Sequence, residues 1–156
     1  MKYLLGIDFG GGASKATLID TEGNIIAENT VEYPTYYPTV GACEQSPEDW
    51  IKALCENSKK IIEKSNINGS DILAIALDSA THTYLVCDEN YKPLRNAIHW
   101  TDTRSRKQAD YLFAEYGEKI FKKTYHKPDT IWTLPQILWL KENVFGFIKN
   151  FRFIFF

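Results

Sequence analysis

The chain has 156 residues, 44% hydrophobic and 24% charged, with a net charge of -2. This is about one domain of ordinary globular composition. Its charges are interspersed and form no basic tract, which argues against nucleic acid or an anionic membrane surface as a partner.

Residues 3–9 are a compact apolar run closed by Asp8 and read as a buried strand. The run is too short for a signal-peptide core, and no charge-free stretch reaches membrane length. Cys43, Cys55 and Cys87 are odd in number, widely spaced and without a CxxC pair, the pattern of reduced thiols rather than of a zinc or redox site. The expectation is a cytoplasmic protein. Gly10-Gly11-Gly12 makes a tight turn, Lys15 to Asp20 a second strand, and Ile25 to Tyr33 a third after the turn residues Thr21-Glu22-Gly23-Asn24. Together they predict an antiparallel meander.

Residues 34–46 carry Pro34, Pro38 and Gly41 and read as a loop. Ser46-Pro47-Glu48-Asp49 starts a helix with a cap, a proline at its first position and acids in its first turn. Trp50, Leu54, Ile61 and Ile62 share its face down to about Ser65. Ile72 to Leu77 is expected to be a strand buried on both faces and parallel to the first. Thr83 to Cys87 and Ala97 to Trp100 read as strands, and residues 103–116 and 132–144 as helices. The order predicts one mixed α/β sheet covered by helices, without internal linker or repeat. The segment Val144 to Phe156 holds six phenylalanines. Because chain ends are usually polar, it is expected to be buried against the sheet or to be an element cut in its middle.

Three features carry chemistry. The first is strand-Asp8-Phe9-Gly10-Gly11-Gly12-Ala13-Ser14-Lys15-strand. Glycines let the backbone approach a bulky anion, and their N–H groups can line a concavity for phosphate. Asp8 at the strand end can hold magnesium through water, and Ser14 and Lys15 can contact phosphates. The GxxxxGK[ST] spacing is absent, and a strand rather than a helix follows, so the hairpin is neither a Walker loop nor a Rossmann turn. Its ordinary reading is a glycine hairpin with a locally bonded Asp.

The second and third features are Asp78-Ser79-Ala80-Thr81-His82-Thr83, directly after the apolar strand, and Trp100-Thr101-Asp102-Thr103-Arg104, at a strand-to-helix junction. Open α/β sheets place ligands at the carboxyl ends of parallel strands. An indole face stacks on a sugar's carbon skeleton, while Asp and His bond its hydroxyls. Each residue also has an ordinary reading: Thr101 or Asp102 as a helix cap, Trp100 as core, His82 as a satisfied histidine beside a turn.

In order and spacing these features resemble the FGGY family of carbohydrate kinases and its xylulokinase-like branch. The resemblance runs over essentially the whole chain: Gly6-Ile7-Asp8-Phe9-Gly10 with Lys15, Glu44 to Trp50, Lys92 to Ser105 as the most specific stretch, and Trp132 to Lys141. It implies a ribonuclease-H-like, actin-like ATPase fold, with residues 1–156 as the N-terminal part of an incomplete first domain. It implies ATP and Mg2+ as cofactors and a small-molecule sugar as substrate, D-xylulose by default or a related ketose or polyol, and is compatible with a homodimer. By position, Asp8 holds magnesium, and Gly10, Gly11, Gly12, Ser14 and Lys15 border the phosphates. Thr81, His82, Trp100 and Asp102 contact sugar. The resemblance places the family's proton-accepting aspartate and most adenine contacts beyond residue 156, so the fragment alone is expected to be inactive. Two departures stand out: Gly11 and Gly12 replace the usual hydroxyl residue, and Ala80-Thr81-His82 replaces Gln-Met-His. The alternatives are a sugar-binding module without catalysis and an actin-like assembly subdomain.

Overall fold

The structure, a computed structural model, describes residues 1–144 and 152–155, with the side chain of Arg152 alone among the last four. In chain order the elements are β1 (Tyr3–Phe9), β2 (Ala13–Asp20), β3 (Ile25–Glu32), β4 (Glu44–Gln45), α1 (Pro47–Ser65), β5 (Ile72–Ser79), β6 (Tyr84–Cys87), β7 (Ala97–Ile98), α2 (Arg106–Thr124), α3 (Thr133–Asn143) and β8 (Arg152–Phe155). They divide into two compact units, Met1–Thr35 with Ser46–Ala80, and Tyr36–Gln45 with Thr81–Phe156. Each unit has its own sheet, so the single sheet expected from the element order is in fact two.

The first unit has strand order β3-β2-β1-β5. β1 is antiparallel to β2 and parallel to β5, the predicted meander and crossover. The β2–β3 turn is made by Asp20: Oδ1 accepts from the backbone N–H groups of Glu22 and Asn24 (both 2.9 Å), and Oδ2 from Asn24 Nδ2 (2.8 Å). Gly23 supplies the left-handed residue at φ +90°. α1 begins as read, with Ser46 Oγ accepting from Glu48 N (3.2 Å), and ends at Asn66 in the left-handed region.

Strand alternation sends Leu5, Ile7, Ala16 and Leu18 to one face, where they form a core with Ile61. α1 packs on β2 and β3 through Ala53, Asn57 and Ile61, one residue per helical turn. Asn57 is fully buried and fully engaged. Its Nδ2 donates to Ser14 O and Ser14 Oγ (both 3.0 Å), and its Oδ1 accepts from Asn29 Nδ2 (2.8 Å). Lys64 Nζ extends the chain to Asn29 Oδ1 (2.8 Å) and Glu28 O (2.9 Å).

β5 departs from expectation. Leu73, Ile75 and Leu77 are 59%, 58% and 62% exposed, because β5 is the edge of its sheet and α1 covers β2 and β3 instead. Its apolar run records a need for burial that the described residues of this unit do not meet.

The second unit has strand order β4-β7-β6-β8 around Tyr84, Val86, Ile98 and Leu140. The two-residue β4 carries no periodic signal and was unreadable in the sequence. β7 stops at Ile98 rather than Trp100, and α2 starts at Arg106 rather than 103. α2 also continues through Gly117, where a Cβ would press within 3.3 Å of the Phe113 ring; the missing side chain serves packing, not a stop. α2 packs on α3. The phenylalanine-rich end does find a strand partner, β8 pairing antiparallel with β6. Residues 145–151 and 156 of that stretch lie outside the described residues.

Removing the Asn57 amide takes from buried Ser14 its bonds at Oγ and O, and from half-buried Asn29 the acceptor of its Nδ2. Asn57→Ala should therefore lower unfolding stability by about 2–4 kcal/mol, from the cost of buried unpaired groups. Urea titration should show a lower midpoint at unchanged slope; an unchanged midpoint would refute the role given to this amide.

Candidate functional site

In the first unit the β1 pleat that turns Ile7 into the core turns Asp8 outwards. Asp8 is in register with Lys15 on β2 and with Asp78 on β5, so all three share one face at the carboxyl end of β1. Asp8 and Lys15 are exposed, and among the described residues neither carries an ion pair. Ser14, expected at the phosphates, faces the opposite way: it is buried and bonded to Asn57.

The Gly10–Gly12 link closes through Gly10 N to Ala13 O (2.9 Å). Positive φ at glycine is confined, among the described residues, to Gly23 and Gly41. The glycine hairpin therefore does not need glycine for its backbone angles. A Cβ on Gly12 would meet nothing within 4 Å, so this corner is open to an approaching group. Tyr33 is buried beside it, its phenol pushed up to about 12 by burial and then by the Asp8 charge. An exposed carboxylate, an exposed ammonium and an open glycine corner suit a triphosphate and its magnesium ion. Of these residues Asp8 could hold the ion, and Lys15 with Gly10, Gly11 and Gly12 could border the phosphates.

In the second unit, Thr81 is exposed and His82 half-buried with φ 59°, a left-handed backbone uncommon outside glycine. The His82 ring meets Trp132 edge-on at 4.7 Å, and Nδ1 lies 3.5 Å from Thr133 Oγ1. His126 approaches the same indole at 4.5 Å. These residues, with Leu112, Ile120 and Leu134 among others, line an open cavity of about 400 Å³, within the range of small-molecule sites. Trp132 and His126 did not stand out in the sequence as site residues. They lie far along the chain from His82, and no local spacing announces the contact.

Trp100 is 42% exposed, with its ring 5.6 Å from that of His99, and is not among the residues lining that cavity. Asp102 is buried with both oxygens occupied: Oδ2 accepts from Cys43 N and Arg104 Nε (both 2.9 Å), Oδ1 from Arg104 N (3.0 Å). Arg104 Nη2 bridges Glu44 (2.7 Å) and Asp102 (2.8 Å), and Arg95 pairs with the same Glu44 oxygen. The Arg104 guanidinium lies 4.3 Å from the centroid of the Trp139 ring. Burial opposes its charge, but the Asp102 and Glu44 carboxylates outweigh that and hold its pKa above the ordinary value. This network ties residues 41–44 to the Trp100 turn. Gly41 completes it: at φ +80° its O accepts from Thr103 N (2.8 Å), and a Cβ would lie 2.8 Å from Thr103 Oγ1.

A mixed sheet whose first two strands flank a glycine hairpin, with an outward carboxylate at the end of β1 and a parallel crossover strand beside it, is the arrangement of an actin-like ATPase fold. The chain belongs to the FGGY family of carbohydrate kinases, whose N-terminal domain matches residues 3–156. It is 34% identical over 143 residues to the xylulose kinase of Bacillus subtilis, covering 92% of this chain and 29% of that protein. It is equally 34% identical over 145 residues to a glycerol kinase of Thermococcus gammatolerans, covering 93% and 29%. The crystal structure of a ligand-bound xylulose kinase from Lactobacillus acidophilus superposes with a TM-score of 0.84 at 26% identity, covering 92% of this chain and 29% of that one. The chain thus spans less than a third of the length of the relatives it matches.

Two outcomes follow from the buried polar groups. Arg104→Ala removes the cation paired with buried Asp102 and one of the two paired with Glu44, which keeps Arg95, and should cost about 3 kcal/mol, read as a fall in the urea midpoint; a loss under ~1 kcal/mol, the worth of a surface pair, would contradict burial of the pair. His99 is buried, its Nε2 lacks a partner among the described residues, and burial lowers its pKa from the ordinary 6.5. The unfolded chain therefore takes up this proton first. Stability from this group should be intact above pH 6.5, decline as pH falls towards the folded-state value, and level off below it. His99→Gln should flatten that part of the profile; identical slopes for both proteins would remove His99 as its source.

Proposed function

We propose that this chain is the N-terminal part of an ATP-dependent kinase acting on a small sugar, with D-xylulose as the first candidate and a related ketose or polyol next. The observation that carries the reading is the outward pair Asp8 and Lys15, in register across an open glycine hairpin at the end of β1. Bound magnesium-ATP supplies the phosphoryl group. Asp8 holds the ion, while Lys15 and the hairpin of Gly10, Gly11 and Gly12 border the phosphates, as positioning and charge neutralisation in phosphoryl transfer require.

On the sugar side, His82 and Thr81 offer hydrogen bonds, and Trp100 an indole face. Trp132, met edge-on by His82 and at a tilt by His126, adds a second aromatic surface. Asp102 acts here through position, holding the Trp100 turn. We assign the proton-accepting aspartate and the adenine contacts to the portion of the relatives' length that this chain does not span. Polypeptide of that portion is also what we expect over the exposed side chains of β5. No helix among the described residues is long and apolar enough to cross a membrane, and a cytoplasmic location is part of the proposal.

A second reading, sugar binding without catalysis, draws on the hairpin: Gly11 and Gly12 offer no side-chain hydroxyl, and that of Ser14 faces the core. The two readings differ in whether magnesium-ATP and sugar affect each other's binding.

D-Xylulose should change the tryptophan fluorescence of residues 1–156 saturably, with His82→Ala and Trp132→Ala each weakening the affinity by about tenfold, the scale of one lost polar or aromatic contact. ADP release by this chain with D-xylulose should stay at background. Unaltered affinity in both variants would dislodge the sugar assignment, and sugar-dependent turnover by residues 1–156 would dislodge the missing base.

A further inference from the structure

We infer that Tyr33 and Thr35 are positioning residues that hold the glycine hairpin in its anion-binding form; the inference rests on reading that hairpin as the nucleotide-phosphate site. Three consecutive glycines form the most flexible link a chain can have, and fixing them costs more backbone entropy than fixing any other residues. Something outside the link must hold it. The segment just past β3 does so one carbonyl at a time. The Tyr33 hydroxyl donates to Gly10 O, Thr35 Oγ1 donates to Gly11 O (2.9 Å), and Tyr33 N donates to Gly12 O (3.1 Å).

The consequence follows from peptide geometry. No described peptide bond is cis, and in a planar trans peptide the N–H points opposite to the C=O. Tying Gly10 O and Gly11 O to Tyr33 and Thr35 therefore turns the N–H groups of Gly11 and Gly12 to the far side of the link. It also removes carbonyl lone pairs from that side, where they would repel phosphate oxygens. A file of N–H groups facing one way is what an anion-binding nest requires. Burial of Tyr33 and the nearby Asp8 charge keep the phenol protonated, so it remains a donor throughout the physiological range.

These ties also account for how the hairpin dispenses with a hydroxyl of its own. Ser14 Oγ is engaged by Asn57 on the core side, and Gly11 and Gly12 have none. The rigidity comes from two hydroxyls on the neighbouring strand end.

The test is an amide NMR titration of residues 1–156 with sodium tripolyphosphate and, separately, magnesium-ATP. The wild type should show saturable shifts at Gly10, Gly11 and Gly12. Tyr33→Phe and Thr35→Val are close to isosteric and delete one tie each. The double variant should bind tripolyphosphate about tenfold more weakly, the scale of two lost hydrogen bonds of modest net worth, with α1 and β5 resonances and the urea midpoint little changed. Thr35→Ser keeps the hydroxyl and should restore affinity in the Thr35 series, a rescue that a purely structural role would not give. If Tyr33→Phe fails to fold, Thr35→Val at its half-buried site decides the matter, with weakened binding expected. Wild-type binding with undiminished affinity in the variants overturns the inference and leaves the phosphate reading standing. Absence of saturable binding by the wild type overturns both.

Discussion

The pleat of β1 decides where everything else in the amino-terminal unit can go. A strand has two faces and a period of two, so placing Leu5 and Ile7 against α1 places Asp8 on the other side. Pairing then carries the decision outward: Lys15 and Asp78 must share the face of Asp8, and Ser14 must share the face of Ile7. A slip of one residue between β1 and β2 would bury a lysine and expose the core. Asn57 guards against that slip. Its amide is satisfied only when Ser14 points inward, so the one polar group in the helix's buried stripe is paired in the correct register and orphaned in the wrong one. The Ser14 hydroxyl is thereby used to set the hairpin's geometry, and the group that meets solvent is Lys15.

The carboxyl-terminal unit solves a different problem with charge. Residues 41–44 and 99–104 have little regular structure, and their backbone polar groups need partners. Asp102 accepts from Cys43 N and Arg104 N, and Arg104 joins it to Glu44 while lying over Trp139. Such a network adds little net stability relative to an apolar core, but it is costly to break. What it confers is a single arrangement of two loops. The planar fork of arginine suits this role: it bonds two carboxylates at its edge and an indole on its face at once.

Much of this was legible in the sequence wherever the signal was local. The meander, the capped start of α1 and the parallel crossover strand follow from alternation, Ser46-Pro47 and an uncharged run. The family itself was legible from four motifs in order. The unread parts are those fixed by distant partners. Ile72 to Leu77 announced that it wanted burial, not what would bury it, and the described residues leave it open at an edge. Asp102 looked like a sugar ligand because Trp-x-Asp-x-Arg sits at a loop. Cys43 and Glu44, which consume its neighbourhood, lie about sixty residues earlier. The helix read over 103–116 runs on through Gly117, a packing site, to Thr124. Ser14 and Lys15 were both assigned to phosphate, although a strand cannot turn adjacent side chains to one face.

The same geometry bears on how selective the sugar side can be. A buried carboxylate aimed at a hydroxyl rejects substrates that lack it, because the unpaired charge is expensive, whereas an apolar pocket separates neighbours by only one or two orders of magnitude. With both Asp102 oxygens bonded within the protein, the strongest candidate reader of hydroxyls is committed elsewhere. What remains around His82 is a cavity walled largely by Trp132, Leu112, Ile120 and Leu134, with His82, Thr124, His126, Lys127 and Thr133 as the polar residues of its lining. Stacking on an indole recognises the carbon skeleton and is indifferent to most stereocentres. On the proposed sugar reading, residues 81–143 would hold a polyhydroxylated chain more than name one. On that same reading, sharper discrimination falls to groups beyond the described residues.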